Sequence, residues 1–254
     1  MGSPQPPEIE RPRSLAEILA EALDLYQRYP ALVLTLALGV IGPYELAVLA
    51  ATGEGPLATQ SHQKAGVTIL LALLNYAFIA PLISALLIYA VIVIAQGRGP
   101  RLGEVAARGL RVLPEVAAAV IAAGFGIALG LLLIIPGILL ALRWSVVAQV
   151  AAVDHQGWLP ALKRSGELAR GHYWHIAGLI LITALLTGGV ELAAAAIPVG
   201  STSGAVSVAL GIVVRTLTAS FTALTLALLY FDLRARSAGV TSAVGDQLPP
   251  GNTP

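Results

Sequence analysis

The sequence contains no cysteine, which excludes disulfide bonds, thiolate zinc sites, iron–sulfur clusters and cysteine nucleophiles. Charged residues are also scarce: Asp, Glu, Lys and Arg make up 11% of the 254 residues, whereas soluble domains usually carry about 25%. The formal net charge is only +1, so the chain lacks the basic excess by which proteins attract nucleic acid. These shortages argue against an ordinary water-soluble fold and against nucleic acid as a partner.

Hydrophobic residues are correspondingly abundant, at 57% of the chain, and the mean hydropathy is +0.82. A transmembrane helix needs about 20 mostly apolar residues, because its backbone polar groups must be satisfied within the segment. A turn predicted at Pro136-Gly137 divides one long uncharged run in two. The predicted fold is therefore an all-α polytopic membrane protein with six transmembrane helices, at 30–51, 67–94, 116–135, 138–153, 176–197 and 206–230.

The distribution of Lys and Arg predicts the orientation of these spans. Of the 15 such residues, Arg143 and Arg215 lie inside predicted spans, and Lys64 lies alone on one side of the membrane. All the others fall in segments on the opposite side. Because cytoplasmic loops carry the excess of Lys and Arg, we expect a multi-pass protein of the plasma (inner) membrane with both termini in the cytoplasm.

An amphipathic helix is predicted before the first, third and fifth spans. Polar and apolar residues of 14–29 fall on opposite faces of a helix, and Ser14 and Glu17 have the spacing of a capping box. Comparable patterns occur at 101–113 and 158–174. Helices of this kind fit the headgroup region of a bilayer, so we expect all three to lie at the cytoplasmic interface.

The combination of an interfacial helix with a hairpin of two spans recurs along the chain. It occurs at 14–97, 101–154 and 158–236, which predicts a threefold repeat. The segments outside these units, 1–13 and 237–254, are polar and rich in Pro, Gly and Ser, and are predicted to be disordered cytoplasmic tails.

Four ionisable residues fall inside the predicted spans: Glu45, Arg143, Glu191 and Arg215. Counting from the outer helix ends places all four in the outer half of the membrane. An unpaired charge at a helix centre costs about 2.5–3.5 kcal/mol, so we expect Glu191 to pair with Arg215 on the next span, and Glu45 with Arg143. Two interpretations stay open: a neutral network that fixes helix packing, or a polar cavity or ion relay.

The predicted cytoplasmic surface carries most of the basic residues. Each cation near an anionic membrane surface adds about 1 kcal/mol of attraction, although acids on the same surface reduce the total. Membrane lipids are therefore the expected partners, together with other membrane proteins. The candidate contacts are Arg108, Arg111, Lys163, Arg164, Arg170, Arg234 and Arg236.

No sequence motif for catalysis, nucleotide binding or metal binding is present. His172 and His175 share a helical face and could both touch one metal, but they flank Tyr173 and Trp174, so anchoring at an interface is the favoured interpretation. We therefore expect no cofactor, no metal site, no catalytic residue and no enzymatic activity.

Three runs of residues carry a family resemblance: Arg143–Val147, Ala161–Trp174 and Leu229–Arg234. With the opening from Arg13 to Pro30, they resemble the membrane domain attached to some bacterial glycerophosphodiester phosphodiesterases. Related stand-alone six-span inner-membrane proteins of unknown function share this plan. The resemblance implies a multispan membrane domain. It brings no catalytic residues, because that chemistry belongs to a separate soluble domain to which no positions here correspond.

Three functions are compatible with these patterns, and the first is favoured. It is a non-enzymatic module that organises lipid or membrane partners through the basic face. The second is a permease or channel-like protein that uses the outer-half Glu/Arg cluster. A water-accessible cavity reaching Glu45, Glu191 or Arg215 would favour it, and a dry, fully paired cluster would count against it. The third, a membrane-embedded enzyme, requires polar groups from distant spans to converge.

Overall fold

Every regular element is helical in the residues that the computed structural model describes, which are 11–56, 65–97, 101–197 and 204–245. A π-helical segment, Asn75–Ile79, joins two of the α-helices, α3 and α4, into one rod. The α-helices are α1 (Leu15–Arg28), α2 (Pro30–Thr52), α3 (Ala65–Leu74), α4 (Ala80–Ala95), α5 (Leu102–Leu131), α6 (Ile135–Arg143), α7 (Val147–Asp154), α8 (Trp158–Ala169), α9 (Tyr173–Ala195) and α10 (Gly204–Gly245).

Six helical rods among these residues are long and apolar enough to cross a membrane. They are Pro30–Thr52, Gly66–Ala95, Leu102–Leu131, Ile135–Asp154, Tyr173–Ala195 and Gly204–Ala238. The predicted all-α class and the predicted number of spans are thus confirmed. By the length and composition of its helices, the chain is a multi-pass membrane protein.

The centre of the bundle is formed by α4 and α10. Helix α4 contacts α2, α5, α7 and α10, and α10 also contacts α1, α2, α8 and α9. All residues of α4 from Ala85 to Val91 are buried, as are those of α10 from Ala227 to Leu233. Lipid chains are as apolar as these side chains, so the contacts stabilise the bundle by close packing rather than by removal from water.

The amphipathic segments predicted at 14–29 and 158–174 contain the separate helices α1 and α8. The capping box of α1 is present: Ser14 Oγ accepts from the Glu17 N–H, and the Glu17 carboxylate accepts from the Ser14 N–H. The segment 101–113 is different, because it is continuous with the third span in α5. Pro114 lies inside this helix. A single proline removes one hydrogen bond, which membrane helices tolerate when neighbouring helices pack against the gap.

The turn between the third and fourth spans lies before Pro136 and not at Pro136-Gly137. Helix α5 ends at Leu131, Ile134 adopts a positive φ of 54°, and Pro136 is the second residue of α6. Proline suits the first turn of a helix, where its missing N–H would have no partner. Gly137 packs so closely on the preceding helix that a Cβ would lie 2.5 Å from the Leu131 nitrogen.

The fourth span is interrupted at residues 144–146, between α6 and α7. The Trp144 N–H still bonds to Leu140, but the following residues form turns with shorter spacing, such as Val147 to Trp144. Helix α8 packs against α6 and α7 at this break. The interruption therefore brings the end of α6 beside α8.

Helix α10 continues beyond the predicted end of the last span. It reaches Gly245, so 237–245 is helical although it belongs to the predicted disordered tail 237–254. The residues from Ser237 to Val244 include one glycine and no proline, so the sequence has no strong helix terminator there. The predicted tails over 1–10 and 246–254 lie outside the described residues.

Candidate functional site

A cavity of about 300 Å³ lies between α2, α4, α9 and α10. Apolar side chains form part of its wall, and polar groups from four helical rods converge on it. This mixture is typical of sites that bind small molecules. The polar lining residues are Tyr44, Glu45, Asn75, Ser84, Thr187, Glu191, Arg215, Thr218 and Thr222.

Glu45 and Arg215 form the ion pair of this cavity. Glu45 is 2% exposed, and its Oε1 accepts a hydrogen bond from Arg215 Nη1. A buried carboxylate is costly unless a cation and hydrogen bonds compensate it. The Arg215 side chain is 43% exposed, so the guanidinium neutralises the buried acid and still lines the cavity.

Glu191 is the second acid of the cavity and is exposed. Its Oε1 accepts from Thr218 Oγ1 at 2.9 Å. In the described part of the chain, no ion pair joins it to a basic side chain. When both carboxylates are ionised, Glu45, Glu191 and Arg215 give the cavity a formal charge of −1. The site therefore favours a ligand or ion that brings positive charge.

The structure brings three of the four predicted intramembrane charges together, but it does not pair them as expected. Arg215 is bonded to Glu45 and not to Glu191. The prediction joined residues of consecutive spans. Helix α10, however, packs on α2 as well as on α9, and the Arg215 side chain extends to α2.

Arg143 does not belong to this cavity, so the predicted Glu45–Arg143 pair is wrong. Arg143 ends α6 at the break in the fourth span and lies against Gly166 of α8. The predicted depth of Arg143 holds for one straight helix and refers only to its Cα position. A long arginine side chain extends away from its Cα to place its charge in a more polar region.

Two helix irregularities adjoin the cavity. The Ala80 N–H donates to the Asn75 carbonyl five residues earlier, which defines the π-helical turn, and both Asn75 and Ile79 line the cavity. Pro43 lies inside α2, two residues before Glu45. Such irregularities are frequent at functional sites because they redirect side chains. Pro43 was visible in the sequence, whereas the π-helical turn has no clear sequence signal.

A second cleft, of about 280 Å³, continues from the cavity between α6, α9 and α10. The two share Thr187, Thr222 and Leu226. The hydroxyls of Ser145 and Thr183 also line the cleft, and within the described residues both are buried without a hydrogen-bond partner. Such groups are uncommon in folded proteins. The cleft has a mostly apolar wall and extends from the charged cavity toward the break in the fourth span.

A different group of charged residues connects the two described ends of the chain. We call it the terminal cluster; it comprises Arg13, Glu21, His175, Asp232 and Arg236. Arg13 forms two hydrogen bonds to the Glu21 carboxylate, at 2.5 and 3.1 Å. Asp232 is fully buried, and one of its oxygens accepts from Arg236 Nε at 2.8 Å and lies 3.2 Å from His175 Nε2. The sequence places Arg13 and Arg236 at the predicted cytoplasmic side, and Arg236 on the predicted basic face, but it does not predict this cluster. An Asp within the apolar run before Arg234 was the available signal.

The predicted basic face lies at the same end of the bundle as the terminal cluster, and we call this end the basic end. Six of its seven candidate residues are exposed; Arg236 is the exception. Arg108 and Arg164 also form ion pairs with acids one turn away, Glu104 at 3.7 Å and Glu167 at 3.5 Å. Exposed pairs of this kind contribute little to stability, so these side chains are available to a membrane surface.

These features define an α-helical multi-pass membrane protein with a charged cavity between its spans and a basic surface at one end. No family model, no curated protein and no solved structure matches the chain.

Proposed function

We propose that this protein is a permease or channel-like membrane protein whose cavity binds a small solute carrying a cationic group. The observation that carries the proposal is the convergence of Glu45, Glu191 and Arg215 on one cavity. A purely structural charge network would be closed and fully paired. Here Glu191 has no basic partner among the described residues, and space adjoins it.

The cavity's charge favours a cation over an anion. Arg215 is already engaged by Glu45, so an incoming anion would have to compete with a carboxylate. The carboxylate of Glu191 has one hydroxyl donor, Thr218, and can accept a further hydrogen bond or a cation. The adjoining cleft, which shares Thr187 and Thr222 with the cavity, supports a route deeper into the bundle.

Ligand-induced stabilisation of the purified full-length protein tests this proposal. Tetramethylammonium serves as the cationic probe and acetate as the anionic probe, at equal ionic strength. A ligand that binds only the folded state raises the melting temperature. We expect tetramethylammonium to raise it for the wild type and to have no effect on Glu191→Gln.

Glu104→Gln is the matched control, because Glu104 is an exposed acid at the basic end. This variant should keep the full response to tetramethylammonium. Equal responses of the wild type and Glu191→Gln, or a larger response to acetate than to tetramethylammonium, would contradict the proposal.

The organisation of lipid by the basic end is a second candidate function. The supporting observation is that α8 buries Ala161, Leu162 and Leu168 against the bundle while Lys163 and Arg164 are exposed. A fixed helix thus displays cations at the end of the spans. Stability measured in nanodiscs of phosphatidylglycerol and of phosphatidylcholine tests this role. The anionic lipid should stabilise the protein more at low salt, and equal stability would contradict it.

The orientation of the protein and the membrane in which it lies are part of the same proposal. We propose that the basic end faces the cytoplasm, as the positive-inside rule predicts, and that the membrane is the bacterial plasma membrane. The contact between Arg13 and Asp232 supports the placement of both chain ends on one side. The threefold repeat, the interfacial position of the amphipathic helices and the family resemblance stay predictions, and the continuous α5 makes the middle unit differ from the others.

A further inference from the structure

A cleft at the basic end lies between the break in the fourth span and α8. It is lined by both polar and apolar groups, and it is separate from the charged cavity between α2, α4, α9 and α10. Its charged lining residues are Arg143, Asp154, Lys163, Arg164 and Glu167. Three basic and two acidic side chains give it a formal charge of +1.

The position of Arg143 in this cleft is fixed by α8. Ser165 Oγ donates to the Arg143 carbonyl at 3.1 Å. The guanidinium arm passes over Gly166, where a Cβ would lie 2.5 Å from Arg143 Nε. Gly166 is buried inside a helix and has no positive φ, so its lack of a side chain serves the passage of Arg143 and not a special backbone conformation.

Some charged side chains of the cleft have a partner among the described residues, and others do not. Arg164 lies 3.5 Å from Glu167, and Asp154 accepts from the Tyr230 hydroxyl at 3.4 Å. Within the described residues, no ion pair involves Arg143 or Lys163. Two cations therefore remain for a ligand, and a guanidinium is well suited to bind phosphate oxygens through paired N–H donors.

Exposed apolar side chains in the cleft and on the adjoining helices α6 and α9 indicate that the cleft lies at the membrane interface. Leu159, at its rim, is 61% exposed, and Trp174, which follows α8, is 92% exposed. Trp at such positions is typical of the boundary between headgroups and acyl chains. Leu139 lies one turn before Arg143 on the same face of α6 and is also exposed, so an apolar surface leads from the guanidinium into the membrane.

We propose that this cleft binds the phosphodiester headgroup of an anionic phospholipid, with Arg143 and Lys163 contacting the phosphate and an acyl chain lying along Leu139. The single negative charge of a phosphodiester matches the net charge of the cleft. The inference rests on the lipid role proposed for the basic end. It adds a defined site to what would otherwise be a diffuse electrostatic attraction.

Lipid binding to the purified full-length protein in dodecyl maltoside tests the site. Native mass spectrometry gives the affinity for added phosphatidylglycerol, with phosphatidylcholine as the zwitterionic comparison and glycerophosphoglycerol as the same phosphodiester headgroup without acyl chains. We expect Arg143→Gln to weaken phosphatidylglycerol binding by roughly fivefold, the equivalent of one lost cation. Glycerophosphoglycerol should bind the wild type far more weakly than the lipid does.

Gly166→Ala distinguishes a defined site from a loss of folding. Alanine raises the helix propensity of α8, while its Cβ displaces the Arg143 arm. We expect this variant to melt no lower than the wild type and yet to lose phosphatidylglycerol affinity as Arg143→Gln does. Arg111→Gln is the matched control, because Arg111 is exposed at the same end but does not line the cleft. It should leave the affinity unchanged.

The results of these binding measurements distinguish the defined lipid site in the cleft from a general attraction of lipid to the basic end. Equal weakening by Arg143→Gln and Arg111→Gln would overturn the site and leave a diffuse basic surface. Equal binding of phosphatidylglycerol and phosphatidylcholine by all variants would overturn both. Binding of glycerophosphoglycerol as tight as that of the lipid would assign the cleft to a soluble phosphodiester and overturn the lipid assignment.

Discussion

The backbone N–H of Arg13 donates to Asp232 Oδ1 at 2.5 Å, across 219 positions of the sequence. Both residues are buried. Arg236, one turn after Asp232, binds the other carboxylate oxygen and also donates to the Arg13 carbonyl. One carboxylate thus holds the segment before α1 to the last span, and it places both described ends of the chain at the basic end of the bundle.

Asp232→Asn should therefore be strongly destabilising. Removing one partner of a buried ion pair costs about 3–5 kcal/mol, and we expect the lower end of this range because the Arg236 side chain is 26% exposed and can be partly hydrated. Thermal or denaturant unfolding in detergent measures the loss. Asp24→Asn is the control, since Asp24 pairs with Arg28 on an exposed helix surface at 2.8 Å. For Asp24→Asn we expect a loss of about 0.3–0.5 kcal/mol in the free energy of unfolding. A similarly small loss for Asp232→Asn would show that the terminal cluster is not a structural connection.

Double-mutant cycles test the pairing inside the cavity. Because Arg215 bonds to Glu45, the cycle of Glu45→Gln with Arg215→Gln should give a coupling energy of about 1–3 kcal/mol. The cycle of Glu191→Gln with Arg215→Gln should be close to additive, since no ion pair joins those residues in the described structure. A larger coupling energy in the second cycle than in the first would contradict the Glu45–Arg215 pair and support the Glu191–Arg215 pair that the order of the spans predicts.

The number of spans could be predicted from the sequence because length and hydrophobicity alone decide whether a helix can cross a bilayer. The comparable depth of Glu45, Glu191 and Arg215 could also be predicted, by counting residues from the outer ends of the predicted spans. The partner of Arg215 could not be predicted, because it depends on the contact between α10 and α2, which are far apart in the chain.

The environment of Arg143 was unpredictable for a related reason. Its location depends on the break at 144–146 and on the packing of α8 into that break. No proline lies in the interruption, so the sequence carries no strong signal of it. Gly166, which makes room for the Arg143 arm, becomes informative only once the two helices are known to touch.

The capping box of α1 predicts a pH dependence. Hydrogen bonds from Ser14 lower the pKa of Glu17 below 4.5. Because the folded-state pKa is the lower one, the cap stabilises the protein above the unfolded pKa, and this contribution is lost as the pH falls through the folded pKa. The melting temperature of the wild type should thus fall more steeply below about pH 4.5 than that of Glu17→Gln. Parallel curves of melting temperature against pH for the wild type and Glu17→Gln would contradict this assignment. A Ser14→Ala variant whose melting temperature still falls more steeply than that of Glu17→Gln would contradict it as well.

The turn between the third and fourth spans predicts a sharp difference between two glycines. At Gly137 a Cβ would meet the Leu131 backbone at 2.5 Å, whereas at Gly189 nothing lies within 4 Å. Gly137→Ala should lower the yield and the melting temperature, because backbone atoms cannot move aside as a flexible side chain can. Gly189→Ala should be neutral or slightly stabilising through helix propensity. Equal behaviour of the two variants would contradict the tight turn.

The accessibility of the cavity to water decides between a solute site and a dry structural network. The chain has no cysteine, so a single thiol can be introduced at Thr222, which lines both the cavity and the adjoining cleft, and at the exposed apolar position Leu185 as the lipid-facing control. Only a hydrated thiol ionises and reacts. We predict that a membrane-impermeant cationic thiosulfonate modifies Thr222→Cys in proteoliposomes and leaves Leu185→Cys unmodified. A Thr222→Cys protein as inert as the control would show that the cavity is dry and would contradict the proposed function.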